Sequence, residues 1–115
     1  MPSLDMEGDS LPLNDETIDK YVAPNRPGNY ALGYVEGDSF YVNYVGRSDD
    51  NLNGRLHSWV GKRRSYTRFK RSYATSPKAA FEKECRNYHD FQKTDNDIHP
   101  AKPAGTNWKC PVCGQ

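Results

Sequence analysis

The sequence lacks the features that mark secreted and membrane proteins. Its three cysteines are an odd number among 115 residues, and two of them stand together as Cys110-Pro-Val-Cys113, which does not suit a disulfide framework. No apolar run approaches the roughly 18 residues of a membrane span, and no segment has the pattern of a signal peptide. We therefore expect a protein of the reducing cytoplasm with no membrane partner.

Apolar residues are also scarce. Only 35% of the residues are hydrophobic, so a chain of this length should form one domain with a thin core. Small domains of this kind often depend on a staple such as a metal site.

Negative charge is absent from one long stretch of the chain. Between Asp50 and Glu82 there is no acidic residue, whereas eight basic residues fall there. They are Arg55, Lys62, Arg63, Arg64, Arg68, Lys70, Arg71 and Lys78. A block of one sign is typical of proteins that bind a polyanion, although an ordinary solvated basic surface has the same composition. As contacts to a nucleic-acid backbone we expect Lys62, Arg63, Arg64, Arg68 and Lys70.

The chain divides into three segments by composition. Residues 1–22 are acidic and predict a largely disordered tail, in which a short helix begins after Asn14. Residues 23–91 contain the periodic hydrophobic patterns of a folded domain. Residues 92–115 are polar and proline-bearing, and they end in the CPVCG motif.

The patterns within the folded segment predict an α+β domain with a small antiparallel three-stranded sheet flanked by helices. Strands rich in β-branched and aromatic residues are expected over 28–35, 40–46 and 66–73. Alternation places Phe40, Val42 and Tyr44 on one face of the second strand. One helix should follow Asp50 and end where Gly61 can supply a left-handed cap, and a second should run from 76 to 90.

Each of these two helices places one charged residue on its apolar face. On the first helix this is Arg55, three residues after Leu52, and on the second it is Glu84, four residues after Ala80. Unpaired charges are almost never buried. The two residues are therefore predicted to form either a structural ion pair or part of a functional site.

Four short segments, in this order, resemble the GIY-YIG nuclease family. GNY at 28–30 and YVG at 44–46 are similar to its two signatures, Arg55 to its helix arginine, and Glu84 to the glutamate of its next helix. The resemblance covers roughly residues 28–90. It implies a metal-dependent endonuclease that hydrolyses phosphodiester bonds in DNA.

The resemblance also implies a role for each of four residues. Glu84 would hold Mg²⁺ or Mn²⁺, and Arg55 would stabilise the charge that develops on the phosphate. Tyr30 would activate the attacking water, and Tyr44 would orient that water or the phosphate. Because a free tyrosine has a pKa near ~10, nearby cations must lower the pKa of Tyr30 for this role.

Two further basic residues lie close to these positions in the sequence. Arg47 and His57 are candidates for contacts to backbone phosphates, and plain surface exposure is the alternative for each. A nucleic-acid-binding module of the same fold that does not cut is the main functional alternative. Such a binder would not need the full set of Tyr30, Tyr44 and Arg55 with the helix glutamate.

The cysteines near the C-terminus predict a structural zinc site. Cys110 and Cys113, followed by glycine, have the spacing of one half of a zinc knuckle, and zinc takes four ligands. Cys85 and His89, one helical turn apart, are predicted to supply the other two, with His99 as the alternative to His89. Free thiols without metal are the other interpretation, and a protein-interaction adaptor built on the knuckle is a third functional hypothesis.

Overall fold

The computed structural model describes residues 4, 6, 8–91, 94–96 and 99–114. Within them the chain forms four β-strands and three α-helices, which confirms the α+β class. In chain order these are β1 (Leu11–Pro12), α1 (Asp15–Tyr21), β2 (Gly28–Glu36), β3 (Ser39–Ser48), α2 (Leu52–His57), β4 (Arg68–Tyr73) and α3 (Pro77–Asp90). Tail predictions for residues 1–3, 5, 7, 92, 93, 97, 98 and 115 lie outside the described residues.

The sheet has four antiparallel strands in the order β1-β4-β2-β3, where three were predicted. The predicted strands correspond to β2, β3 and β4. The additional strand is the two-residue β1, in which Leu11 pairs with Phe69 and Pro12 with Arg68. A segment this short has no periodicity that could reveal it in the sequence.

Part of the segment predicted as a tail packs against the sheet. Helix α1 begins after Asn14, as expected, and the Asn14 side chain accepts a hydrogen bond from the backbone amide of Thr17. Ile18 and Val22 are buried in the main hydrophobic cluster. Residues 11–22 therefore contribute to the core of the domain.

The helices cover both faces of the sheet. Helices α1 and α2 supply the apolar cluster on one face, in which Leu52 and Leu56 pack against Leu32. Helix α3 contacts β3 and β2. Buried Asn29 of β2 donates a hydrogen bond to the carbonyl of Ala80 and so ties the sheet to α3. No helix among the described residues is long and apolar enough to cross a membrane.

The prediction that Phe40, Val42 and Tyr44 share one face of β3 is wrong, because a β-bulge interrupts the strand. The register shifts between Leu32 and Gly33, so Tyr44 pairs with Leu32 while Val42 pairs with Gly33. Tyr44 consequently packs in the cluster of α1 and α2, whereas Val42 packs in a separate cluster. A side chain at Gly33 would lie 1.8 Å from the carbonyl oxygen of Tyr41, so the close approach of the two strands requires glycine there.

The C-terminal segment covers the edge of strand β3. The Asn96 side chain accepts a hydrogen bond from the amide of Val45 at 3.0 Å and donates one to its carbonyl at 2.8 Å. The amide of Asp95 donates to the carbonyl of Asn43 at 2.6 Å. These bonds occupy backbone groups that an open edge strand would leave unpaired.

Candidate active site and metal centre

The structure brings the four predicted catalytic residues to one cavity of about 340 Å³. Tyr30 comes from β2, Tyr44 from β3, Arg55 from α2 and Glu84 from α3. The remaining lining residues are Gly46, Arg47, Asp49, Trp59, His99, Pro100 and Ala101. Three consecutive elements and the later helix α3 therefore meet at this cavity.

Gly46 of the YVG motif leaves space for the ring of Tyr30, which belongs to the GNY motif. Tyr30 and Gly46 pair across strands β2 and β3. A Cβ atom at Gly46 would lie 2.4 Å from both the Cζ and the hydroxyl oxygen of Tyr30. The GNY and YVG motifs are thus linked by direct packing, and only glycine allows the Tyr30 ring to lie where it does.

The two tyrosines belong to an aromatic group that includes Trp59. The indole Nε1 of Trp59 donates a 2.8 Å hydrogen bond to the Tyr30 hydroxyl, and the Tyr44 and Trp59 ring centroids are 4.7 Å apart. Burial, and next the proximity of Tyr44, raise the pKa of Tyr30. Burial and the nearby Glu84 carboxylate likewise raise the pKa of Tyr44. Both phenols are therefore protonated at neutral pH, which is opposite to the lowered pKa that a base requires.

Glu84 forms its ion pair with Arg47 and not with Arg55. Its side chain is 11% exposed, and Arg47 Nη1 donates to its Oε1 at 2.5 Å. Burial raises the pKa of the Glu84 carboxyl, and the opposing effect of Arg47 is smaller. The Arg55 side chain lies at the cavity but is exposed, so its predicted position on the apolar face of the helix is wrong. No carboxylate among the described residues pairs with it.

Arg47 uses its guanidinium within the protein. Besides the bond to Glu84, its Nε donates to Asp49 at 2.9 Å and its Nη2 donates to the Ala101 carbonyl at 2.6 Å. Although burial opposes its charge, the two carboxylates raise the pKa of Arg47. Each guanidinium nitrogen of Arg47 therefore already donates a hydrogen bond within the protein, where a contact to a phosphate was predicted.

His57 is also engaged by other residues. Its Nδ1 lies 2.6 Å from an Asp15 oxygen and its Nε2 lies 2.8 Å from an Asp19 oxygen, so the ring joins α2 to α1. Hydrogen bonds to Asp15 and then Asp19 raise the pKa of His57. The structure therefore gives His57 a bridging position between two helices, where a phosphate contact was predicted.

The other predicted nucleic-acid contacts divide into two groups. Lys62, Arg63 and Arg64 are exposed in the turn that follows α2. Arg68, by contrast, donates hydrogen bonds from Nη2 to the Ser10 carbonyl and from Nε to the Ser10 hydroxyl. Lys70 is half-buried, with its Nζ 5.9 Å from the centre of the Phe40 ring. Of these five predicted contacts, the three in the turn are exposed, whereas Arg68 and Lys70 are half-buried.

A second group of side chains could hold a zinc ion. The ligand atoms of His89, His99, Cys110 and Cys113 all lie within 4.8 Å of one another. His89 Nε2 is 3.3 Å and Cys113 Sγ is 3.4 Å from His99 Nε2. A tetrahedral zinc ion with bonds of about 2.0–2.3 Å separates its ligand atoms by about 3.3–3.8 Å, a range that includes these two separations.

The surroundings of these ligands also suit metal binding. His99 Nδ1 lies 2.8 Å from the Pro100 carbonyl oxygen, and donation to that oxygen would leave Nε2 free to bind metal. Burial disfavours a Cys110 thiolate, but hydrogen bonds from the backbone of Cys113 and Val112, and from His99, lower the pKa of Cys110 to about 6. The thiolate is the form that binds zinc.

The structure replaces Cys85 by His99 in the predicted ligand set. Cys85 is fully buried beside Phe81 and Cys110. Burial, followed by the contact with Cys110, raises the pKa of Cys85 to about 12, so its thiol stays protonated. The one-turn spacing of Cys85 and His89 suggested a shared metal, but Cys85 points into an apolar cluster.

No protein-family model, curated protein or solved structure matches the chain. Two features of these sites were missed at the level of sequence, namely the hydrogen bond from Trp59 to Tyr30 and the ion pair between Arg47 and Glu84. Both join residues that are about thirty or more positions apart, and a single sequence carries no signal for such pairs.

Proposed function

We propose that this protein is a divalent-metal-dependent endonuclease that hydrolyses phosphodiester bonds in DNA and carries a structural zinc ion. The observation that supports this function is the meeting of Tyr30, Tyr44, Arg55 and Glu84 at one cavity. These are the four residues singled out by the resemblance to the GIY-YIG family. A domain that only bound DNA would have no need to assemble all four at one place.

Glu84 is the residue that would hold Mg²⁺ or Mn²⁺. It supplies carboxylate oxygen, which both ions prefer, at a cavity that Asp49 also lines. Arg47 holds one of its oxygens, Oε1, and so fixes the direction of the carboxylate. When bound, such an ion supplies Lewis acidity and lowers the pKa of an attacking water.

Arg55 is the cation available to the DNA phosphate. It is exposed at the cavity, and no ion pair with a described carboxylate competes for its guanidinium. A planar guanidinium can donate two parallel hydrogen bonds to a phosphate. Arg55 would thereby stabilise the charge that develops during hydrolysis.

The two tyrosines act as protonated phenols in this proposal. The raised pKa of Tyr30 disfavours the role of base that the family resemblance implies. Its hydroxyl oxygen accepts a hydrogen bond from Trp59, which leaves the phenolic hydrogen available for donation into the cavity. Tyr30 would therefore orient the water, and Tyr44 would orient the water or the phosphate.

Incubation of the purified protein with plasmid, branched and single-stranded DNA tests the proposal. Reactions contain Mg²⁺, Mn²⁺ or EDTA, and a gel records nicked and linear products. We expect cutting of at least one DNA form with Mg²⁺ or Mn²⁺ and none with EDTA. Absence of cutting of every DNA form with either ion would contradict the enzyme assignment.

A DNA-binding module that does not cut is the second candidate. Two observations favour it, namely the engagement of Glu84 by Arg47 and the raised pKa of Tyr30. This candidate predicts DNA binding that weakens steeply with salt, because phosphate contacts release counterions. It also predicts that Mg²⁺ and Mn²⁺ leave the DNA intact.

A further inference from the structure

The metal centre and the catalytic cavity share a segment of the chain. His99 is one of the four grouped metal ligands, and it also lines the cavity with the two residues that follow it, Pro100 and Ala101. These three residues have no regular secondary structure. A zinc ion bound to His99 and to His89 of α3 would therefore hold one wall of the cavity against that helix.

Arg47 connects this wall to Glu84. The Nη2 of its guanidinium donates to the Ala101 carbonyl at 2.6 Å, and its Nη1 donates to Glu84 Oε1 at 2.5 Å. The same guanidinium lies 5.1 Å from the centre of the Phe81 ring, which packs in the cluster that contains Cys110. One planar group thus contacts both the segment next to the metal centre and the carboxylate of the cavity.

We propose that Arg47 is a positioning residue through which zinc occupancy sets the affinity of the Glu84 site for Mg²⁺ or Mn²⁺. This inference rests on the proposed function of Glu84 as a metal ligand. Zinc held by His99 would fix the backbone near Ala101. The Ala101 carbonyl binds the Arg47 guanidinium, which in turn holds the Glu84 carboxylate. Residues that orient a metal ligand typically change metal affinity by about 10–100-fold when they are lost.

The test measures Mn²⁺ binding through the electron paramagnetic resonance signal of free Mn²⁺, without DNA. The wild type is compared with Arg47→Lys, each with zinc and after removal of zinc by a chelator that is then dialysed away. Lysine keeps the charge but cannot bridge two acceptors with a planar fork. We expect about tenfold weaker Mn²⁺ binding after either change alone, and little further loss when both are combined.

Two variants distinguish failure of the coupling through Arg47 from failure of the metal role of Glu84. Glu84→Gln should remove the measured Mn²⁺ site, and unchanged binding in this variant would overturn the metal role of Glu84 itself. Arg86→Lys alters an exposed arginine of the same helix and should leave binding unchanged. If Mn²⁺ binding depends on Glu84 but on neither zinc nor Arg47, the coupling is wrong and the proposed function stands.

The reciprocal measurement applies where circular dichroism shows that the zinc-free protein unfolds. Coupling between two binding sites acts equally in both directions. Mn²⁺ should therefore tighten zinc binding about tenfold in the wild type, as measured by competition with a chromophoric chelator. Glu84→Gln should abolish that effect and Arg47→Lys should reduce it, and an equal effect in all three proteins would overturn the proposal.

Discussion

The Glu84 carboxylate is held in surroundings that disfavour its charge. Burial raises its pKa more than the ion pair with Arg47 lowers it, so the ionised form weakens the fold relative to the protonated form. Such a cost would be explained by the proposed role of Glu84 as a metal ligand, because that role needs a charge that the fold alone would not select. Arg47 offsets part of the cost and at the same time fixes the carboxylate.

Glu84→Gln should therefore leave the melting temperature at neutral pH unchanged or raise it by a few degrees. Glutamine keeps an oxygen that can accept the hydrogen bond from Arg47 without the cost of a buried charge. Because the folded pKa of Glu84 is raised, its ionisation removes stability as the pH rises from about 4.5 through the folded pKa. The difference in melting temperature between Glu84→Gln and the wild type should appear above this pH range and vanish below it.

Thermal melts at acidic and neutral pH measure this effect. Glu82→Gln, on the same helix but outside the cavity lining, is the matched control. A large loss of stability in Glu84→Gln at neutral pH would mean that the ion pair with Arg47 is mainly a structural element.

The elements that the sequence predicted best are those with local signals. Asn14 and Ser76 cap the starts of α1 and α3, as expected. Each side chain accepts a hydrogen bond from the backbone amide three residues later, and such a short-range pattern can be recognised in the sequence. Helix α2 ends at His57, earlier than the predicted cap at Gly61, which lies in the following turn with a positive φ. The bulge near Asn43 depends on how two strands meet, and alternation along one strand does not reveal it.

The packing of α1 on α2 should depend on pH through His57. Its pKa is raised by hydrogen bonds to Asp15 and Asp19, so its contribution to stability is complete below about 6.5 and is lost as the pH rises through the folded pKa. His57→Gln should therefore destabilise the protein at acidic pH and make little difference at high pH.

Melting temperatures of the wild type and His57→Gln across this range, at low and high salt, test the prediction. Salt should reduce the difference, because the acidic partners are largely exposed. A difference that grows with pH would contradict the bridging role of His57.

The C-terminal segment connects the cavity and the grouped histidines and cysteines to the rest of the fold. Asn96 bonds to the edge of β3, His99 is one of the four grouped side chains that could hold zinc, and the Ala101 carbonyl accepts a hydrogen bond from Arg47. The sequence indicated a metal site from the spacing of Cys110 and Cys113. It could not choose the remaining ligands, because the path of a polar segment without periodicity is set by tertiary contacts.

Zinc analysis of two variants distinguishes the ligand set grouped in the structure, which contains His99, from the predicted set, which contains Cys85. The wild type should bind about one equivalent of zinc, and Cys85→Ser should retain it, since Cys85 lies outside the grouped ligand atoms. His99→Ala should bind zinc much more weakly and melt at a lower temperature. Retention in His99→Ala together with loss in Cys85→Ser would restore the set first predicted.

The rate of DNA cleavage by Glu84→Gln and Arg55→Ala, measured beside the wild type, tests whether the residues at the cavity cut DNA. DNA affinity and melting temperature are recorded on the same preparations, with Glu82→Gln as the control. We predict that Glu84→Gln keeps its fold and much of its DNA affinity but loses metal-dependent cutting. Arg55→Ala should cut about 10²-fold more slowly or worse. A Glu84→Gln protein that cuts DNA as fast as the wild type would contradict the proposed nuclease function.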